Sequence, residues 1–318
     1  MVLLIDRFEP LAGAICMTVP VTEQAKDLYR GLDRWPGHRI LSAIVAAQTQ
    51  AVAAVGDAVG ALASAGERAA ERMRQGGRLI YAGAGSSGLL AQVDALELPG
   101  TYGIEAERVP VLLAGGNAAL LAIPSDAEDD ADMARRSVGQ LNVGPLDTLL
   151  AVSASGRTPY ALAALNAAKE RGALTIGMAC NADTPLLRAA DHAVLLATPP
   201  EIVAGSTRMN AGTAQKCALN MLSTLIGIRL GHVYDGMMVN VRAENDKLKR
   251  RATRMVAQAC DLSEDAAAEL LDAAGMEVKI AIVLHRLPAA TVADARAMLE
   301  THEGDVRSVL EAIAARES

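Results

Sequence analysis

Two short turns carry the residues best suited to chemistry. Gly83-Ala84-Gly85-Ser86-Ser87-Gly88 and Ser153-Ala154-Ser155-Gly156-Arg157-Thr158 each follow an apolar run and precede a helical pattern. The first has the spacing G-x-G-x-x-G. Glycines in such a turn can serve close packing alone. They can also bring backbone amides at a helix start against an anion. Ser86 and Ser87 favour the second reading, because hydroxyls beside amides suit a terminal phosphate or sugar oxygens. The second turn offers hydroxyls from Ser153, Ser155 and Thr158, a glycine-permitted amide nest, and the Arg157 cation. Helix capping explains one Ser or Thr. It does not explain S-x-S-G-x-T. Together the two turns predict a site for a phosphorylated sugar.

A third polar segment, residues 205–216, adds Ser206, Thr207, Arg208 and Lys216. Its cations bracket glycines and hydroxyls, which suits an anionic ligand or a subunit interface. The alternative is a well-capped buried helix. Two carboxylates stand out as well. Glu97, in DALELPGTYG, lies near the end of an apolar helix just before Pro99 and reads by itself as a surface residue. Glu128, in SDAEDD, fits a capping box Ser125-x-x-Glu128 ahead of an acidic first turn.

These residues need a scaffold, and the chain supplies a repeated one. Short apolar runs occur in RLIYAGAGSSG (78–88), VPVLLAGG (109–116), DTLLAVSASGRTP (147–159), ALTIGMACN (173–181) and AVLLATP (193–199). Helical patterns such as LLAQVDALEL, NAALLAI and YALAALNAAKERG separate them. The alternation predicts an α/β fold with a parallel sheet covered on both faces. Ligands in such sheets bind beyond the carboxyl ends of the strands, where both hydroxyl turns fall. Residues 38–74 read as one helix with weak points at Gly56 and Gly60, stopped by Gly76-Gly77. A long helix is expected to run from 205–216 to about Gly231. Residues 254–316 hold four short amphipathic segments punctuated by Gly275, Pro288 and Gly304. The expected division is an N-terminal arm (1–37), a sugar-phosphate-binding domain (38–245) and a small all-helical subdomain (246–318). No simple tandem repeat dominates.

Composition narrows the function. Of 318 residues, 51% are hydrophobic but only 2% aromatic, so stacking platforms for single-stranded nucleic acid are nearly excluded. A formal charge of −7 argues against a broad phosphate-backbone footprint and leaves room for a small anion held locally. Cys16, Cys180, Cys217 and Cys260 form no CxxC pair, and the five histidines are isolated. Metal catalysis and Cys–His catalysis are therefore not expected. The N-terminus lacks a basic region and an unbroken apolar stretch, and other apolar runs are broken short of about 20 residues. The expectation is a cytoplasmic protein with no membrane or nucleic-acid partner.

The two hydroxyl turns resemble those of the sugar isomerase (SIS) domain, a flavodoxin-like parallel sheet sandwiched by helices. A longer stretch, roughly residues 65 to 310, resembles the N-acetylmuramic acid 6-phosphate etherase family. It is carried by GGRLIYAGAGSSG, VDALELPGTYG, LLAGGNAAL, DAEDD, VSASGRTPYALAAL, LTIGMACN, GSTRMNAGTAQKCALNMLST and AENDKL. The resemblance implies a carbon–oxygen lyase that removes D-lactate from C3 of a 6-phosphorylated amino sugar, in peptidoglycan recycling, without metal or cofactor. It implies that Glu97 protonates the leaving lactate and that Glu128 is the base. It also implies a homodimer.

The chain departs from the family pattern in places. GAGSSGLL replaces GAGTSGRL, so Leu89 stands where the family carries Arg. Leu96 replaces a Ser beside Glu97, and Asn210 replaces a Lys. Pro36-Gly37-His38-Arg39 and Ala47-Gln48 fall where the family has Ser-Thr and an acidic pair. Residues 1–16 have no counterpart. These changes keep two alternatives open: a non-catalytic phosphosugar-binding regulator, as in the related glucokinase regulatory protein, or an aldose–ketose isomerase of another amino sugar phosphate.

Overall fold

A computed structural model describes residues 19–122, 124, 126–241, 243 and 245–317. Residues 1–16, with Cys16, and Ser125 lie outside the described residues. Five short strands form the centre: β1 (Leu79–Gly83), β2 (Val111–Leu113), β3 (Thr148–Val152), β4 (Leu174–Ala179) and β5 (His192–Leu195). All neighbours pair in parallel, in the order β2-β1-β3-β4-β5. β1, β3 and β4 are buried along their whole length, which is why they read as unbroken apolar runs. Their side chains still alternate between faces. Leu79 and Tyr81 enter one core, Ile80 and Ala82 the other.

On the first face lie α1 (Gly37–Val55), α2 (Val59–Arg74), α3 (Gly85–Tyr102) and α7 (Asn210–Arg229). On the second lie α4 (Ala131–Gln140), α5 (Pro159–Glu170) and the short α6 (Pro185–Ala189). β1 feeds α3 on the first face, and its neighbour β3 feeds α5 on the second. Connections that leave adjacent strands in opposite directions open a crevice at the strands' carboxyl ends. The two hydroxyl turns are the walls of that crevice.

Two elements differ from expectation. The single helix over 38–74 is two, because α1 ends at Val55 and a 3-10 turn, Gly56–Ala58, intervenes before α2. Gly56 is the point where the helix gives way, as its low propensity suggests. The helix expected at NAALLAI is a 3-10 turn, Gly116–Leu120. Gly115 and Gly116 enter it at φ of 81° and 60°, and Pro124 packs back on Gly115, so the segment coils too tightly for an α-turn. The α1–α2 stretch is also long and apolar enough, by length and composition, to cross a membrane, with mean hydropathy 1.3. Its break at 56–58, Asp57 inside that break, and its packing on α7 instead make it the outer layer of the first face.

The remaining helices, α8 (Asp246–Cys260), α9 (Glu264–Ala273), α10 (Val278–Arg286), α11 (Val292–Thr301) and α12 (Val306–Glu317), enclose a separate apolar cluster reaching from Val239 to Ile313. The pair α9–α10 repeats in α11–α12. Ser263 and Thr291 cap the first helices, Ala267 and Ala295 are buried, Leu271 and Leu299 are buried, and Val278 and Val306 follow. Left-handed pairs, Gly275-Met276 and Glu303-Gly304, join the helices of each unit. This duplication lies in burial positions and turn conformation, not in identical residues, so no tandem repeat was legible in the sequence.

Candidate active site

The first turn is built as β1 passes into α3. Gly83 and Gly88 are there for packing: a Cβ on Gly83 would lie 2.9 Å from the Gly88 Cα, and one on Gly88 would lie 2.6 Å from the Leu113 side chain. Gly85 opens the helix at φ 53°, a conformation glycine adopts without strain. Ser86 is half-buried and its hydroxyl makes no hydrogen bond with another described residue. Ser87 is buried, and its hydroxyl donates to Oε1 of Gln215 at 3.0 Å. Ser87 therefore fixes the first turn to α7, and only its lone pairs remain for a ligand.

The second turn gathers its hydroxyls around Ser153. Ser153 Oγ lies 2.9 Å from Thr158 Oγ1 and 3.3 Å from Ser155 Oγ, and it accepts the Gly156 N–H at 3.0 Å. Ser155 Oγ accepts the Arg157 N–H at 3.2 Å. Gly156 has φ 65°, and a Cβ there would come within 2.4 Å of Thr184 Oγ1. Pro159 then starts α5, its fixed φ and missing donor suiting the first helical position. The result is a polar cradle at a helix N-terminus, with the exposed Arg157 beside it.

Residues 205–208 lie in the connection from β5 to α7. Ser206 and Thr207 are half-buried and Arg208 is exposed. The guanidinium groups of Arg157 and Arg208 pair with no other described residue. α7 starts under a carboxylate from outside it: Glu201, 1% exposed, accepts the N–H groups of Asn210 at 2.8 Å and Ala211 at 2.9 Å. Burial pushes the Glu201 carboxyl above its ordinary range, against the pull of those two amides. Lys216 points along α7, where its Nζ donates to Asn220 Oδ1 at 2.6 Å.

Asn220 in turn donates to Asp94 Oδ1 at 2.8 Å. Asp94, 1% exposed on α3, also accepts from Tyr81 Oη at 2.8 Å and Ser223 Oγ at 3.2 Å. Burial raises the Asp94 carboxyl, opposed by these hydrogen bonds and by the Lys216 charge. Burial, reinforced by Asp94, pushes the Tyr81 phenol well up. Glu201 and Asp94 were not singled out in the sequence, whereas Gln215 belongs to the polar segment 205–216. For Asp94 a signal existed: it shares a helix face with Ala91, Ala95 and Leu98, all buried.

The two glutamates sit apart. Both are exposed and neither makes a hydrogen bond or ion pair with another described residue. α3 runs on through Pro99 to Tyr102, so Glu97 is inside the helix. It lies ten residues beyond Ser87, about 15 Å along the axis. Its neighbours Leu96 and Pro99 line a cavity of about 230 Å³ with Pro110 and Val111, at the amino end of β2. Glu128 belongs to a 3-10 turn, Ala127–Asp129, packed against α5. α4 is capped by Asp130, which accepts the Met133 N–H at 2.7 Å, so Glu128 precedes that helix; the capping box expected with Ser125 falls on a residue outside the described ones. The fold thus places Glu128 beside the helix that opens from the second hydroxyl turn, and Glu97 at the other end of α3. Among the described residues no cluster of His, Cys, Asp or Glu forms a metal site.

A five-stranded parallel sheet with hydroxyl turns at its switch point defines a sugar isomerase domain, and the SIS domain family model matches residues 39–180. The chain is 44% identical to an N-acetylmuramic acid 6-phosphate etherase of Deinococcus radiodurans, over 91% of this chain and 94% of that protein. It is 42% identical to the etherase of Streptomyces avermitilis, over 92% of this chain and 93% of that one. With the etherase of Streptomyces coelicolor the identity is 47%, over 73% and 75%. The chain belongs to the N-acetylmuramic acid 6-phosphate etherase family.

Proposed function

We propose that this chain cleaves the D-lactyl ether of N-acetylmuramic acid 6-phosphate, giving N-acetylglucosamine 6-phosphate and D-lactate. The observation that carries the reading is the polar cradle of Ser153, Ser155 and Thr158 facing the first turn across the β1/β3 crevice, within a chain of this family. The hydroxyls, the amides of both turns and the cations Arg157 and Arg208 hold the 6-phosphate and sugar oxygens. Ring opening places a carbonyl at C1 and makes the C2 proton acidic. Glu128 as carboxylate removes that proton, the C2–C3 double bond forms, and the C3–O bond breaks. Glu97 as carboxylic acid protonates the departing ether oxygen. Water then adds across the double bond, its oxygen at C3 and a proton at C2. Two carboxylates in opposite protonation states suffice for this sequence.

The separation of Ser87 from Glu97 bears on assembly. A hexose 6-phosphate places its C3 only a few covalent bonds from phosphorus, far short of the helix length between those residues. We therefore propose a homodimer in which Glu97 of one copy serves the crevice of the other. Exposed Leu41, Val45 and Val52 on α1 and Met221 and Ile228 on α7 supply an apolar face for the second copy. A groove of about 560 Å³ on the same side runs between α2 and α7, past Val59, Leu62 and Leu225. The compartment proposed is the cytoplasm, where sugar phosphates are made, with recycling of cell-wall sugar as the use. Incubation with N-acetylmuramic acid 6-phosphate and assay of D-lactate tests the activity.

A further inference from the structure

We propose that Thr22 and Asn181 are positioning residues of the sugar-phosphate site, setting the distance between the second hydroxyl turn and the 205–208 loop. The proposal rests on the sugar-phosphate reading of those two loops. Asn181 follows β4 at the carboxyl edge of the sheet and is 5% exposed. Both hydrogens of its amide nitrogen are in use. One bond goes to the Ala154 carbonyl, inside the Ser153–Thr158 turn, at 3.2 Å, and the other to Thr22 Oγ1 at 3.1 Å. Its Oδ1 accepts the Thr22 N–H at 3.4 Å. Thr22, 1% exposed, passes the connection on: its carbonyl accepts the Gly205 N–H at 3.0 Å.

A residue far from both loops in sequence thus stands between them, with an amide on one side and a carbonyl on the other. Gly205 holds φ 80°, and a Cβ on it would lie 3.0 Å from Glu23 Oε2, so the segment around Thr22 lies close over the loop. None of these contacts has to form for the sheet to close, since β4 is already paired on both sides. What they fix is where Ser206, Thr207 and Arg208 stand relative to Ser153, Ser155 and Thr158. Losing the clasp leaves each loop with its own hydrogen bonds but allows their spacing to vary, which weakens a ligand that must touch both.

Thr22→Val keeps the shape and backbone of residue 22 and removes the hydroxyl acceptor; Thr22→Ser keeps the acceptor. D-lactate kinetics on the full chain are expected to show KM about tenfold higher in Thr22→Val, the scale of one lost hydrogen bond. The expected kcat is within about twofold of the parent; the melting temperature falls, because one buried Asn181 amide hydrogen loses its acceptor, and the kinetics are read well below it. Thr22→Ser should match the parent. An unchanged KM in Thr22→Val, or a loss confined to kcat, overturns the proposal. Asn181→Asp, which removes the amide donors, serves as the second variant and should move KM the same way. If the parent chain releases no D-lactate, the etherase reading fails by itself. Calorimetric titration with N-acetylglucosamine 6-phosphate then reads the positioning claim: affinity falls about tenfold in Thr22→Val if it holds, and equal affinity in parent and variant overturns it.

Discussion

Ser87 and Glu97 stand on one helix, α3, with Ser87 buried at the carboxyl edge of the sheet and Glu97 exposed about 15 Å further along. Pro99 falls two residues beyond Glu97, and the helix continues past it to Tyr102, where the Gly103 N–H donates to the Pro99 carbonyl at 3.0 Å and closes the C-terminus. One end of α3 therefore lies at the crevice proposed to take the phosphate, and the other carries the carboxylate proposed as the acid. That spacing is what the proposed shared site rests on.

Removing either carboxylate should stop the chemistry without loosening the fold. Glu97 and Glu128 are exposed and pair with no other described residue. Glu97→Gln and Glu128→Gln should each lower kcat by about 10²–10⁴-fold, the contribution of a positioned acid or base. Melting curves should coincide with the parent.

The second turn has no room for a side chain at Gly156. Gly156→Ala puts a Cβ into Thr184 at a positive φ. A cost of about 1–3 kcal/mol in denaturant unfolding is expected. KM for the sugar phosphate should rise as the cradle opens.

Asp94 is a structural carboxylate whose three donors come from β1 and α7. Asp94→Ala leaves the buried Tyr81 hydroxyl and the half-buried Asn220 amide without their acceptor and should cost about 2–4 kcal/mol, read by chemical denaturation. Asp94→Asn, which keeps the shape, should cost less.

His232 gives the fold an acid-side weakness. Burial, with the charges of Lys279 and Arg108, holds its pKa down at about 3 against the usual 6.5. The unfolded chain therefore binds this proton first as pH falls. Stability from the neutral ring is complete above about pH 6.5 and is lost progressively below it. Melting temperature between pH 7 and pH 5 should fall less steeply in His232→Asn than in the parent.

A charge on the outer helix should break the pair of copies. Val45→Asp, at a position 64% exposed, should leave the monomer folded and shift light-scattering mass to one chain. D-lactate release should vanish with the dimer. A monomeric parent with full activity would remove the shared-site account.

Much of this was legible in the sequence. The strands of a doubly covered sheet are apolar throughout, and each site turn follows one, so both the sheet and the hydroxyl turns could be read from pattern. Long-range partners could not. Gln215 meets Ser87, Glu201 caps α7, and Thr22 meets Asn181 through contacts that carry no periodicity. G-x-G-x-x-G was legible, but not the division of labour within it: Gly83 and Gly88 pack, and Gly85 turns. The two-residue weakness at Gly56 and Gly60 was visible, whereas the 3-10 turn after β2 depends on Pro124 folding back on Gly115.

The central claim is a site made of Glu128 from one copy and Glu97 from the other, and subunit mixing tests it directly. Glu97→Gln and Glu128→Gln proteins, each inactive alone, are co-expressed and assayed for D-lactate release from N-acetylmuramic acid 6-phosphate. Random pairing gives mixed dimers with one site doubly altered and one intact, so roughly a quarter of parental activity should return. No recovery, with mixed dimers verified by mass, would contradict the account.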